Sequence, residues 1–356
     1  MTLSAFDHPW LGGLFADEAM AGIWSADKQL AHMQAFEAAW SRALGAHVLG
    51  DESLGEAAAT AIETMVFDVS DIRAGLAKDG VPIPRMVAQM KAAAGATASD
   101  AGAVHKGATS QDVVDTALVL TLRETSEVLA LRLAELNAAL QGLQDKFGDR
   151  PMMGRTRMQA ATEITVGDRV LAWRLPMVAH LDRLDQLRSR VEVVQIGGAS
   201  GDRKALGANA DAVVADVAKS LSLAPTDKAW HAMRDGVVEY ASFLSLVSGS
   251  LGKIGQDMCL MAQQGVDELR MSGGGASSAM PHKQNPVLAE LLVTLAKFNA
   301  TQVSGMHHAM VHEQERSGAA WSLEWMILPQ MAQSTARGLS AAIDLCGRIE
   351  RIGAAV

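Results

Sequence analysis

Residues 110–147 read SQDVVDTALVLTLRETSEVLALRLAELNAALQGLQDKF. Within them Leu118, Leu122, Thr125, Leu129, Leu133, Leu136, Leu140 and Leu143 recur at steps of three and four. A stripe held over so many turns predicts one long amphipathic helix with a heptad-like seam. Working outward, further long helical stretches are predicted over about 163–195, 228–270, 285–316 and 320–351, with Pro176 kinking the first of them. Residues 1 to about 100 predict several short amphipathic helices, punctuated by Gly12-Gly13, Gly50-Asp51, Gly80, Pro82 and Pro84. No strand-alternating segment stands out. The predicted fold class is therefore all-α: a small N-terminal helical domain over 1–103 and a central long-helix bundle over 104–356. Alanine- and leucine-rich surface persists on more than one side of the long helices, so the bundle is expected to complete its core with other subunits.

Composition agrees with this and narrows the function. The chain has 356 residues, 49% of them hydrophobic but only 4% aromatic, a mixture that favours helices over sheets. The formal net charge of −9 argues against a general nucleic-acid binder, while leaving room for a local basic pocket. Cys259 and Cys346 sit in apolar helical stretches without a spacing motif, as reduced core cysteines do. The first twenty residues, MTLSAFDHPWLGGLFADEAM, lack a basic region before an apolar one, and no apolar run reaches the roughly 18 residues of a membrane span. A cytoplasmic protein without a membrane partner is expected.

Three segments interrupt the helices, and each is chemically loaded. The first is VHKGATSQDVVDTA, 104–117. Thr109 or Ser110 is a natural N-cap for the stripe helix, with Asp112 in its first turn. Two hydroxyls, free helix N–H groups and an upstream His105 and Lys106 make a carboxylate site there as natural as a plain cap. The second is MMGRTRMQAATEITVGDRV, 152–170, where Arg155, Thr156, Arg157 and Gln159 cluster. Arginine forks suit bidentate carboxylate recognition, although a solvated helix start would read the same way. The third is SGGGASSAMPHKQNP, 272–286, in which three glycines precede Ser277, Ser278, His282, Lys283 and Asn285. The glycines mark a segment able to move, and Asn285-Pro286 predicts an N-cap followed by proline in the first turn of the next helix.

Together these segments resemble the three signature regions of the fumarase/aspartase superfamily. Its third region reads G-S-S-x-M-P-x-K-x-N-P, and residues 276–286 here read ASSAMPHKQNP. The first segment resembles H-x-G-A-T-S-x-D and the second G-R-T-x-x-Q-x-A. Within the superfamily the chain resembles the lactonising enzymes that act on 3-carboxy-cis,cis-muconate. The stretches IPRMVAQM (83–90), QIGGASGDRKALG (195–207) and HEQERSGAAWSLEWMILP (312–329) are similar to theirs. Fumarases and argininosuccinate lyases carry His after Gly-Arg-Thr. This chain has Arg157, and the lactonising enzymes also lack that His. Glu163 stands where a proline is common. The chain stops where the superfamily's C-terminal domain usually begins, so that domain is expected to be absent.

The resemblance implies a reaction that makes or breaks a C–O or C–N bond β to a carboxylate, with no metal and no redox cofactor. It makes Ser277 the proton-transfer residue. It gives Lys283 and Asn285 the charge of an aci-carboxylate, and it gives Thr109, Ser110 and Gln159 the substrate carboxylates. Thr156 and Arg157 join the binding set, and His105, His282 and Arg316 are further candidates, His105 on the catalytic side. The implied partners are a small tricarboxylate and three further copies of the chain, in a homotetramer with shared active sites. An adenylosuccinate lyase-like elimination and a non-enzymatic helical scaffold are the alternatives; Arg157 counts against the first, and the intact Ser277, Lys283 and Asn285 against the second. Outside the three segments, GGASGDRK at 197–204 lacks the Lys-Ser or Lys-Thr of a phosphate loop. His308 and His312 stand at helical i, i+4 spacing without the intervening acid of a zinc-protease helix.

Overall fold

The seam lands where its spacing puts it. The computed structural model describes residues 4–97, 102–276, 280 and 284–353. Six helices precede the stripe: α1 (Gly12–Phe15), α2 (Glu18–Ile23), α3 (Ala26–Leu44), α4 (Glu52–Thr64), α5 (Val69–Asp79) and α6 (Ile83–Thr97). The stripe itself is α7 (Ser110–Phe147), unbroken over 38 residues, or about 57 Å at 1.5 Å per residue. Leu122, Leu129, Leu133, Leu136 and Leu140 are fully buried along it. Burying each such side chain stabilises the fold by about 2 kcal/mol. Leu118 is only half-buried, because it lines an apolar cleft beside Trp24 and Trp325.

After α7 the chain makes a hairpin of β1 (Pro151–Thr156) and β2 (Gln159–Thr165), then α8 (Val166–Val191), α9 (Ala210–Ser220) and α10 (Asp235–Met261). Three short strands, β3 (Leu269–Met271), β4 (Gly275–Ala276) and β5 (Gln284–Asn285), lead to α11 (Val287–Ala309), α12 (Ala319–Gly347) and β6 (Ile349–Ile352). β4 pairs with β5 and β3 with β6, all antiparallel. α7, α8, α10, α11 and α12 pack as a five-helix bundle, in which α8 and α11 run against the other three. The fold is mostly helical, as predicted.

Several local expectations are corrected. The second loaded segment is a β-hairpin rather than the start of a helix. Arg157 and Met158 form its turn with φ of 50° and 67°, the left-handed pair that a tight hairpin demands. The four long stretches are each shorter than predicted, because loops and short strands take their ends. α8 runs on through Pro176, starting from a Thr165–Asp168 capping box. Pro286, not Asn285, occupies the N-cap of α11, since Asn285 is paired with Gly275 in a strand. α11 ends at Ala309, so His308 and His312 do not share a helical face.

The N-terminal helices brace the bundle. The Arg132 guanidinium on α7 donates twice to Asp17, which caps α2. At its far end α3 passes into a π-turn (Gly45–Leu49) and meets α4 at Gly45 and Gly55. A Cβ on either glycine would lie only 2.8 or 2.9 Å from the other's Cα, so the two backbones touch.

Candidate active site

The first segment is built by what surrounds the N-terminus of α7. Thr109 is the N-cap, and its backbone N–H donates to Asp112 in the first turn at 2.9 Å. The Asp112 carboxylate is fully buried and accepts three further hydrogen bonds, from the N–H of Gly197 (2.8 Å), the N–H of Gly198 (2.9 Å) and Nε2 of His231 (2.8 Å). Residues 197–199 are thereby clamped onto the cap. Gly198, with φ of 68°, passes so close to Gly107 that a Cβ would sit 2.8 Å from its carbonyl oxygen.

Arg316 closes the same corner. It donates to Thr109 Oγ1 at 2.9 Å and to the carbonyls of Gly198 and Ala199 at 3.2 and 3.0 Å. With a guanidinium donating into its oxygen, the Thr109 hydroxyl keeps its own hydrogen free to donate outward. Arg316, a substrate-binding candidate from the sequence, thus also holds the cap. Ser110 follows as the first helical residue and is partly exposed. His105, in a left-handed turn with φ of 57°, receives Glu37 of α3 at 2.5 Å from Nδ1.

Beneath this corner lies a buried ionic network that the sequence reading missed. The Arg234 guanidinium, wholly buried, donates to both oxygens of Asp115 (2.7 and 3.1 Å) and both of Glu324 (2.8 and 2.5 Å). Trp321, Gln111 and Gln195 each add a hydrogen bond to Asp115. Burial alone would lower the Arg234 guanidinium, but Asp115 and Glu324 override it and leave it raised above its ordinary value. The network ties α7, α10 and α12 together directly under the first segment. The only sequence signal would have been charged residues on otherwise apolar helix faces.

The other two segments lie at the opposite end of the bundle. Thr156, Arg157 and Gln159 stand exposed at the hairpin tip, and Arg155 donates to Glu268 at 3.1 Å. Glu268 immediately precedes β3, so the hairpin and the start of β3 are neighbours. Asn285 lines a cavity of about 340 Å³ with Gly273, Gly275 and Arg348. Ser277, His282 and Lys283 lie outside the described residues. Within one chain the length of α7, about 57 Å, therefore separates the first segment from the hairpin and from Asn285.

The fold and this distribution of polar groups define a helical-bundle protein with polar clusters at both ends of a long core. The chain belongs to the lyase family, within the fumarase/aspartase superfamily: the family model described as lyase matches residues 18–305. It is 36% identical to a 3-carboxy-cis,cis-muconate cycloisomerase of Pseudomonas aeruginosa, over 94% of this chain and 74% of that one. To the cycloisomerase of the same name from Pseudomonas putida it is 38% identical, over 93% and 78%. The crystal structure of 3-carboxy-cis,cis-muconate lactonizing enzyme from Pseudomonas putida superposes with a TM-score of 0.89 at 34% identity, covering 97% of this chain and 77% of that one.

Proposed function

We infer that this chain is a cycloisomerase that closes 3-carboxy-cis,cis-muconate to a carboxymuconolactone. The observation that carries this reading is the first-segment corner: a helix N-terminus with an outward-facing Thr109 hydroxyl, braced by Arg316, Asp112 and the 197–199 turn, in a chain more than a third identical to enzymes of that name. Such a corner suits a carboxylate, because helix N–H groups and the positive end of the helix dipole converge there.

In the reaction one substrate carboxylate attacks the conjugated double bond. A C–O bond forms at one alkene carbon, and the π electrons move to the adjacent carbon, where the neighbouring carboxylate takes them up as an aci-carboxylate. Protonation of that carbon completes the lactone. Lys283 and Asn285 hold the developing charge, where preorganised donors are worth several kcal/mol. Ser277 transfers the proton, and Thr109, Ser110, Thr156, Arg157 and Gln159 hold the carboxylates, with His105 and His282 beside them. The glycines of 272–286 let that segment close and reopen. Because Thr109 and Asn285 stand at opposite ends of the bundle, the site is composite. Antiparallel copies in a homotetramer bring the first segment of one to the other segments of its neighbours. We place the enzyme in the cytoplasm.

The test is to mix the purified protein with 3-carboxy-cis,cis-muconate, follow loss of the diene's ultraviolet absorbance and identify the lactone by NMR. Unchanged absorbance, or release of fumarate from a succinylated amine instead, overturns the assignment.

A further inference from the structure

α3 presents three polar side chains to the turn that precedes α7. Glu37 meets His105 Nδ1, Trp40 Nε1 donates to the Lys106 carbonyl at 3.2 Å, and Ser41 Oγ donates to the Ala103 carbonyl at 3.2 Å. Positions 37, 40 and 41 share one face of a helix. Trp40 and Ser41 suffice to tether the loop, and both contact only backbone. Glu37 differs: it contacts a side chain, it is fully buried, and its second oxygen, Oε2, has no hydrogen-bond partner. A buried carboxylate with an unpartnered oxygen is a poor device for holding a loop.

Its effect on His105 is specific. A carboxylate has no hydrogen to donate, so His105 Nδ1 must carry one. In the neutral ring Nε2 is then the nitrogen with the lone pair. Nε2 takes no hydrogen-bond partner among the described residues, and the His105 side chain remains 16% exposed. The ring is thus fixed in one tautomer with its basic nitrogen left available beside the Thr109 corner. We propose that Glu37 is a positioning residue for proton transfer at His105: it sets the tautomer and stabilises the imidazolium formed when Nε2 takes from water the proton that lactonisation then adds to carbon. The proposal rests on the reading that places His105 in the active site.

The test is a double-mutant cycle of E37Q and H105N in the full-length protein, scored by turnover of 3-carboxy-cis,cis-muconate. Glutamine matches glutamate in volume but can meet Nδ1 with its amide oxygen or its NH2, so it no longer dictates the tautomer. In the wild-type background E37Q lowers kcat roughly 10- to 100-fold, part of the about 100- to 10,000-fold that general acid–base assistance supplies, with KM within about twofold. In the H105N background the same change costs nothing further. Equal losses in both backgrounds make Glu37 a purely structural contact and overturn the proposal, as does wild-type kcat in E37Q. An H105N enzyme with full activity removes His105 from the site, and the underlying reading falls with it. If E37Q fails to fold, ring 15N shifts of wild-type protein labelled in histidine decide the matter. In its neutral form His105 shows a protonated Nδ1 and a bare Nε2; the reverse tautomer refutes the role.

Discussion

Arg234→Met should be far more damaging than Glu324→Gln, although both change the same ion pair. Arg234 lies between Asp115 and Glu324, and all three side chains are essentially without solvent access. Asp115 and Glu324 share the one Arg234 guanidinium, and His312 Nε2 lies 3.7 Å from Glu324. Removing the guanidinium leaves two buried carboxylates without the cation that both accept hydrogen bonds from. Breaking a buried pair in this way costs about 3–5 kcal/mol. Against a total stability of about 5–15 kcal/mol, that is enough to leave the variant marginal or unfolded at physiological temperature. Glu324→Gln instead removes one of the two buried carboxylates and keeps the guanidinium. Asp115 still pairs with Arg234, and a glutamine oxygen can still accept from it, so the cost is about 1 kcal/mol. Urea unfolding followed by circular dichroism, at one fixed protein concentration because association between copies shifts the midpoint, measures both. Equal losses, or a loss below about 2 kcal/mol for Arg234→Met, would refute the view that the shared guanidinium governs this network.

Other consequences follow from the same structure. His180 is buried against Phe243, with Ser250 on Nε2 and Arg183 on Nδ1; burial first and Arg183 second push it down from 6.5 to about 4. Its neutral form is the folded form, so its contribution is complete above pH 6.5 and is lost as pH falls towards 4, by about 2 kcal/mol after allowance for solvent screening. His180→Gln should flatten that part of the stability–pH curve, and an unchanged slope would remove His180 from it. Arg157→Gln should raise KM roughly 10- to 100-fold with a much smaller change in kcat, because a charge-assisted contact to a carboxylate is lost from ground and transition states alike; a collapse of kcat at constant KM contradicts a purely binding role. Lys283→Met should abolish turnover while leaving the circular dichroism spectrum intact, and a variant with near wild-type turnover excludes Lys283 from the mechanism. Mixed oligomers of Thr109→Val and Ser277→Ala chains should regain up to about a quarter of wild-type activity, because one site in four then draws both residues from intact neighbours; no recovery in verified mixed oligomers argues against sites shared between copies.

The architecture was legible wherever burial imposes a period. The leucine seam gave α7 from Ser110 to about Phe147, and a hydroxyl before an apolar run marked Thr109 or Ser110 as its cap, of which the fold uses Thr109. The hairpin at 151–165 was not legible, since it is exposed almost throughout and no core selects alternating side chains along it. Its turn also uses Arg157 and Met158 in place of the Asn-Gly pair that announces such turns. Pro286 was misplaced by one position because the pairing of Asn285 with Gly275 is non-local. Of the candidate site, the residues that donate or accept outward carried a motif. Those that hold them did not: Glu37, Asp115, Arg234 and Glu324 look like ordinary helix charges until the fold shows them buried.

The contact between Gly45 and Gly55 bears on how this protein can diverge. Neither glycine has chemistry to offer, and both lie in the N-terminal helices. Yet α3 sits at the depth their contact allows, and that depth is what brings Glu37, Trp40 and Ser41 within reach of the turn at 103–106. A single methyl at either position would wedge α3 away from α4 and carry those three side chains with it. Drift in the turn at 103–106 is therefore constrained by two residues of α4 and the π-turn. A lineage free to vary Thr109 or Arg157 for a new substrate would still inherit the demand for glycine at 45 and 55.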